Sequence, residues 1–165
     1  MRRFLTPVFA LCCLLGFALP AAAVSTGALA PDFTLKSAAG SNVRLSELRG
    51  QVVMINFWAS WCGPCRQEMP LLEQLQQRYH RLGFTMIGVN VEQQSGDAKK
   101  FLKDVPVTFP ILWDTANSVS RQYEVKAMPS TVIVDRDGKI RFVHPGYKSG
   151  DEAKYSETIR NLLRE

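Results

Sequence analysis

The feature that most constrains this chain is an apolar run that leads into two closely spaced cysteines and then into a helical pattern. The run from Val52 to Trp58 has the length and composition of a strand buried on both faces of a sheet. Cys62 and Cys65 follow it. A spacing of three to four residues then joins Met69, Leu72, Leu75, Gln76 and Tyr79, which predicts a helix. Cys62 is therefore expected where the strand gives way to the helix, with Cys65 in the first helical turn.

This position has chemical consequences for the two thiols. A helix N-terminus presents unpaired N–H groups and the positive end of the helix dipole, which both favour a thiolate over a thiol. The thiolate is the nucleophile in disulfide exchange. Pro64 fits the first turn, where its missing N–H costs nothing, and Gly63 leaves the approach to Cys62 open. We expect Cys62 to be exposed and reactive, and Cys65 to lie buried behind it as the resolving thiol.

The sequence around the cysteines closely resembles the active site of thioredoxins. Pro70 falls where the active-site helix of that family kinks, and Trp58 is expected in the core. Pro129 resembles the thioredoxin proline whose cis peptide bond faces the cysteines, so the Met128 backbone is expected beside Cys62, where it can pair with an extended substrate. The residues that match the motif are Trp58, Trp61, Cys62, Gly63, Pro64 and Cys65. Because Trp61 adjoins Cys62, we expect it to form an exposed apolar rim that a partner protein covers.

Two positions depart from thioredoxin itself. Thioredoxins carry a buried Asp where this chain has Asn56, six residues before the first active-site cysteine, and an amide cannot titrate. Glu68 stands three residues after Cys65, as a Glu does in ResA-like proteins. A carboxylate there shifts the pKa values of the thiols and can pass a proton, which makes Glu68 a candidate catalytic residue. The alternative for Glu68 is a solvated position on the helix surface.

The rest of the pattern predicts a single α/β domain. Two short alternating segments on either side of residues 39–41 predict an N-terminal β-hairpin. The opening "APDFTLKSAAGSNVRLSELRG" resembles TlpA/ResA-type thioredoxins of the redoxin superfamily, and a helix and strand at about residues 93–114 resemble the insert of that group. The predicted order is β–β–β–α–β–α–β–α–β–β–α. This order is that of a thioredoxin fold, a mixed central sheet flanked by helices.

The first 23 residues have the pattern of a secretory signal peptide. Arg2 and Arg3 precede an apolar stretch from Leu5 to Leu19, and three alanines at 21–23 form a cleavage site. This predicts a signal peptide at 1–23 and a thioredoxin-like domain at 24–165 in the periplasm, with an uncleaved membrane anchor as the alternative. The mature chain would keep 142 of the 165 residues, and its formal charge would fall from +5 to +3 because two arginines leave.

Composition narrows the possible partners. The mild charge and the absence of a Lys/Arg run give no reason to expect a nucleic-acid partner. A zinc site wants four ligands, whereas the mature chain has two cysteines and two scattered histidines, so metal binding explains the cysteine pair poorly. We expect no cofactor apart from a redox-active Cys62–Cys65 disulfide.

The resemblance implies a monomeric thiol–disulfide oxidoreductase that reduces protein disulfides and receives its electrons from a membrane protein. The Gly-Pro pair resembles thioredoxin, a reductant at about −270 mV. Relatives of this type act in cytochrome c maturation or on copper-site cysteines. Three alternatives stay open: a periplasmic oxidant or isomerase, a copper or haem-delivery chaperone that uses the thiols as soft ligands, and a thiol peroxidase. The peroxidase signature of Pro and Thr/Ser before the helix is replaced here by Ala59-Ser60-Trp61.

Overall fold

The computed structural model describes residues 24–165, so the signal peptide predicted at 1–23 lies outside the described residues. The elements follow the predicted order. They are β1 (Thr34–Ser37), β2 (Asn42–Arg44), β3 (Val52–Trp58), α1 (Gly63–Tyr79), β4 (Phe84–Asn90), α2 (Gly96–Asp104), β5 (Ile111–Trp113), α3 (Ser118–Gln122), β6 (Ser130–Val134), β7 (Ile140–Pro145) and α4 (Asp151–Arg164). The fold is the predicted mixed α/β thioredoxin fold.

The strands form one mixed sheet in the order β2-β1-β5-β4-β3-β6-β7. β3 lies parallel to β4 and antiparallel to β6, and β4 lies parallel to β5. All seven residues of β3 are buried. Since successive side chains of a strand point to opposite faces, β3 contributes to two cores. The sheet thereby places the end of β3, and the cysteines after it, at the carboxyl ends of the central parallel strands.

Helices cover both faces of the sheet. On one face, Met54 and Trp58 pack with apolar residues of α1, α2 and α4. On the other face, Ile55 and Phe57 pack with residues of α3 and the N-terminal segment. Each fully buried Leu, Ile or Phe side chain contributes about 1.5–3 kcal/mol relative to an exposed one. Among residues 24–165, no helix is both long enough and apolar enough to cross a bilayer.

The N-terminal hairpin and the helix–strand insert that the sequence predicts are both present. β1 and β2 form the predicted antiparallel hairpin, and β1 also pairs with β5. The Asp32 carboxylate accepts from the backbone N–H of Ser46, at 2.9 Å, and pairs with Arg44, which ties the hairpin to the short helical turn that follows it. α2 and β5 form the predicted insert. β5 begins at Ile111, directly after Pro110, which has no N–H to give to a ladder.

Candidate active site

The chain leaves β3 at Trp58, turns over three residues and enters α1 at Cys62. Cys62 has extended backbone angles and is the N-cap residue of the helix, while Cys65 lies in its first turn. The two sulfurs form a disulfide. The backbone N–H of Cys65 donates to Cys62 Sγ at 3.2 Å. A helix-terminal N–H aimed at this sulfur stabilises negative charge on it, so the geometry favours Cys62 as the thiolate once the disulfide is reduced.

The expected exposure of Cys62 is wrong for the disulfide form. Cys62 is only 5% exposed and Cys65 is 2% exposed. The physical reason is that Cys62 Sγ bonds to Cys65 and also caps the helix, which turns the sulfur inward. The expected burial of Cys65 is confirmed. Gly63 and Pro64 are exposed beside the pair, and a Cβ added to Gly63 would meet no atom within 4 Å.

The residues predicted to bind substrate differ in exposure. Trp61 is 70% exposed, whereas Trp58 is fully buried, as the sequence indicated. The Met128–Pro129 peptide bond is cis, as the resemblance implied. Met128 is half-buried and packs against the apolar cluster that contains both cysteines. That Trp61, Gly63, Pro64, Met128 and Pro129 contact a substrate stays a prediction.

Glu68 is fully buried, so it is not a solvated helix residue. Asn56 on β3 donates through Nδ2 to Glu68 Oε2 at 2.8 Å and to Thr131 Oγ1 on β6 at 3.0 Å. The amide that replaces the thioredoxin acid therefore holds a carboxyl group supplied by α1. The other carboxyl oxygen, Glu68 Oε1, has no hydrogen-bond partner in the part of the chain that the structure describes.

Burial raises the pKa of Glu68 to about 7. The hydrogen bond from Asn56 and the nearby Tyr155 hydroxyl offset part of this effect, while the charges of Asp151 and Glu152 add to it. A carboxyl group with a pKa near 7 exchanges its proton readily at neutral pH, which suits a general acid or base. Glu68 lies one helical turn from Cys65, and its catalytic role stays a prediction.

Sequence reasoning missed Glu92, which holds the loop before Cys62. Its carboxylate accepts from the Ser60 N–H and the Ser60 hydroxyl, each at 2.8 Å, and from Asn90 Nδ2 at 2.8 Å. Glu92 follows β4, and the register pairs Trp58 with Asn90 at the ends of the two strands. Because the carboxyl ends of neighbouring parallel strands meet, an acid just past β4 was a usable signal for a contact with this loop.

Arg66 also contacts this loop. Its guanidinium group lies 4.5 Å from the ring centre of Phe101 and donates to the Ser60 carbonyl at 3.4 Å. Phe101 in turn packs against Trp58, with ring centres 5.8 Å apart. The insert helix α2 therefore supports the loop through an aromatic contact.

The fold and this site together define a class, the thioredoxin-fold enzymes that act through a redox-active cysteine pair. The AhpC/TSA family model matches residues 26–143, and the chain belongs to that family.

Several relatives share most of its length. The thiol-disulfide oxidoreductase ResA of Geobacillus thermodenitrificans (strain NG80-2) is 35% identical over 139 residues, which cover 84% of this chain and 80% of ResA. The thioredoxin-like protein YneN of Bacillus subtilis (strain 168) is 38% identical over 125 residues, which cover 74% of this chain and 73% of YneN. The family recognition and the enzyme class, thiol–disulfide oxidoreductase, are confirmed.

Solved structures agree with the fold. A crystal structure of a Chlorobium tepidum protein, proposed to be the thiol:disulfide interchange protein DsbE, matches with a TM-score of 0.82 and 40% identity, over 86% of this chain and 99% of that one. A solution structure from Bacteroides thetaiotaomicron, proposed to be a protein disulfide isomerase, matches with a TM-score of 0.79 and 34% identity, over 86% of this chain and 92% of that one.

Proposed function

We propose that the protein reduces disulfides of other proteins outside the cytoplasm through its Cys62–Cys65 dithiol. The observation that carries this proposal is the cysteine pair at the start of α1, where the Cys65 N–H is aimed at Cys62 Sγ. The exposed Trp61 next to it offers an apolar surface for a protein substrate. The Gly-Pro pair between the cysteines supports a reductant, since thioredoxin, at about −270 mV, has the same pair.

The reaction proceeds by two exchanges. The Cys62 thiolate attacks one sulfur of the substrate disulfide, so that a mixed disulfide forms and the other substrate sulfur leaves as a thiolate, which takes up a proton. Cys65 then loses its proton and attacks Cys62 Sγ, which releases the second substrate thiolate. Two electrons pass from the dithiol to the substrate, and the enzyme is left as the Cys62–Cys65 disulfide.

Glu68 accepts the Cys65 proton in the second exchange. While Glu68 is charged, it opposes a second negative charge on Cys65, which keeps that thiol protonated until the mixed disulfide exists. A general base commonly contributes 10²- to 10⁴-fold, but a thiol ionises readily by itself, so Glu68→Gln should slow protein-disulfide reduction only about tenfold. Alkylation of Cys62 by a small reagent should change far less in this variant.

The deciding experiment is the reduction potential of the cysteine pair, measured by equilibration with a dithiol buffer. A value near that of thioredoxin, about −270 mV, supports the reductase, whereas a value near −120 mV would make the protein an oxidant. Peroxide consumption or tight Cu(I) binding without disulfide reduction would replace the proposal with a peroxidase or a metal chaperone.

A reductase in an oxidising compartment needs a supply of electrons. The pattern of residues 1–23 supports export, and a membrane protein that relays electrons from the cytosol is the class of donor that such a location requires. Substrates in cytochrome c maturation or at copper-site cysteines suit an enzyme of this type. Covalent capture on a resolving-cysteine variant identifies them directly.

A further inference from the structure

Two buried side-chain oxygen atoms have no hydrogen-bond partner within residues 24–165. They are Glu68 Oε1 on α1 and the Tyr155 hydroxyl on α4. Both side chains are fully buried. Geometry brings the two side chains together, because the Tyr155 ring contacts His144, and His144 is the strand partner of Thr131. Asn56 in turn bonds both Thr131 and Glu68. In agreement, the Tyr155 hydroxyl lowers the pKa of Glu68 as a hydrogen-bond donor does. An unpaired buried donor or acceptor destabilises the folded protein, so each of these two groups is a suitable hydrogen-bond partner for the other.

The surroundings of Tyr155 hold its ring in place. The ring packs edge-on against Phe142 and against His144, with ring centres 5.9 Å and 5.8 Å away. His144 is itself held by Asp151, 2.9 Å from its Nε2. Asn56 donates to the other oxygen of Glu68, Oε2, and also to the Thr131 hydroxyl. Besides Asn56, the Tyr155 hydroxyl is a neutral group that acts on this carboxyl group as a hydrogen-bond donor.

We propose that Tyr155 is a positioning residue for Glu68: its hydroxyl donates to the carboxylate form and accepts from the protonated form. This proposal rests on the proposed role of Glu68 in the reductase. A phenol suits the role because it is both a donor and an acceptor and keeps its own proton at neutral pH. Burial raises the pKa of Tyr155 further above its ordinary value, so the phenol does not compete for the proton.

The other groups that face Glu68 act in known directions. Asp151 and Glu152 on α4 raise its pKa through their charges, and Tyr147 before α4 lies close enough to sense it. Asn56 and Thr131 carry no charge. Loss of the Tyr155 hydroxyl removes a donor to the carboxylate and also makes its surroundings more apolar. Both effects raise the pKa of Glu68.

The test uses Tyr155→Phe in the disulfide form of the full protein, in which neither cysteine titrates. We expect the carboxyl carbon of Glu68, followed by NMR, to titrate about one pH unit higher than in the wild type. In the wild type itself, the Tyr155 ring carbon that bears the hydroxyl should shift with the same midpoint as Glu68. Signals of His144 are recorded alongside, so that its titration is not mistaken for that of Glu68.

Tyr79→Phe is the matched control. Tyr79 is buried on α1, and its hydroxyl is 2.7 Å from Ser156 Oγ on α4, so this variant also removes one phenol contact between the same two helices. It should leave the titration of Glu68 unchanged. In the reduced enzyme, Y155F should move the pH profile of disulfide reduction in the same direction as the NMR midpoint, and should have no such effect in the E68Q background.

The outcomes separate this proposal from the proposed function. A Glu68 midpoint that stays at the wild-type value in Y155F, or a Tyr155 carbon that does not follow Glu68 in the wild type, overturns the role of Tyr155. A shifted midpoint with an unshifted rate profile supports the contact and instead overturns the role of Glu68 in reduction.

Discussion

A carboxyl group that is buried and titrates near neutral pH makes the stability of the folded protein depend on pH. The pKa of Glu68 is raised from 4.5 to about 7. Between these values the folded state holds a proton that the unfolded state has released, so the contribution of Glu68 is full below pH 4.5 and is lost as the pH rises to 7. Relative to Glu68→Gln, the wild-type disulfide form should lose about 2 kcal/mol of unfolding free energy between pH 5 and pH 8.

Urea unfolding at the two pH values measures this difference. Glu157→Gln, an exposed substitution on α4, is the control and should follow the wild type at both. The same pH dependence in the wild type and in E68Q would mean that Glu68 is charged, and stabilised, throughout this range.

The roles of the two sulfurs lead to a second prediction at the residue scale. Cys65→Ser removes the group that resolves the mixed disulfide, so substrates should remain covalently attached to Cys62. Cys62→Ser should trap none. Non-reducing gels followed by mass spectrometry of the captured proteins measure both. Partners captured by C62S and not by C65S would reverse the two assignments.

Single residues differ in how far the sequence predicts them. The cysteine pair, the buried Trp58, the exposed Trp61 and the cis bond before Pro129 all belong to one motif with known spacing. The inward turn of Cys62 Sγ was not predictable in the same way, because it depends on a sulfur that both caps the helix and closes the disulfide. Tyr155 was missed because it is one apolar position on an amphipathic helix, 87 residues from Glu68.

At the scale of elements, the loop between β3 and α1 depends on a carboxylate from the end of β4. Glu92→Gln keeps the shape of the side chain but removes the charge that accepts from Ser60. A hydrogen bond to a charged group contributes about 1.5–3 kcal/mol to the free energy of unfolding, and partial exposure of Glu92 reduces this contribution. We therefore expect E92Q to lower the free energy of unfolding by about 1–2 kcal/mol. The reactivity of the Cys62 thiol should also change, because the loop fixes the start of α1.

Glu73→Gln is the comparison for this variant. The Glu73 carboxylate accepts from the N–H and the hydroxyl of Thr108, each at 2.8 Å, in the same pattern but away from the cysteines. Chemical unfolding and the rate of Cys62 alkylation, measured for both variants, separate stability from positioning. If E73Q and E92Q alter the alkylation rate equally, Glu92 has no special relation to the site.

Elements were more predictable than their contacts. The order of strands and helices follows from period-2 and period-3.6 patterns that are local in sequence, and β3 and α1 were placed within a residue or two. The ends of β5 and the neighbours of each strand depend on pairing across the sheet, which no local pattern contains. The hydrogen bonds between Ser60 and Glu92 join residues that are 32 positions apart.

For the whole molecule, the pattern of residues 1–23 predicts where the protein acts. We expect cleavage after Ala23, which leaves a chain that begins at Val24 and is found in the periplasm of a Gram-negative bacterium. The mass of the protein isolated from the envelope decides this. A mass that includes residues 1–23 would show that the leader is kept as an anchor, and the domain would then act at the membrane surface.

The burial of both sulfurs gives the protein kinetic control over which molecules exchange electrons with it. Because Cys62 and Cys65 are both nearly inaccessible, small thiols such as glutathione should attack the disulfide only slowly. A protein that binds over Trp61 and Gly63 would bring its own thiolate up to the disulfide. The ratio of dithiol to disulfide in the protein would then stay out of equilibrium with the surrounding small thiols, and would change only through bound protein partners. Reduction by glutathione should therefore be much slower than reduction by a dithiol protein of matched reduction potential. Equal rates would show that burial does not protect the disulfide from small thiols.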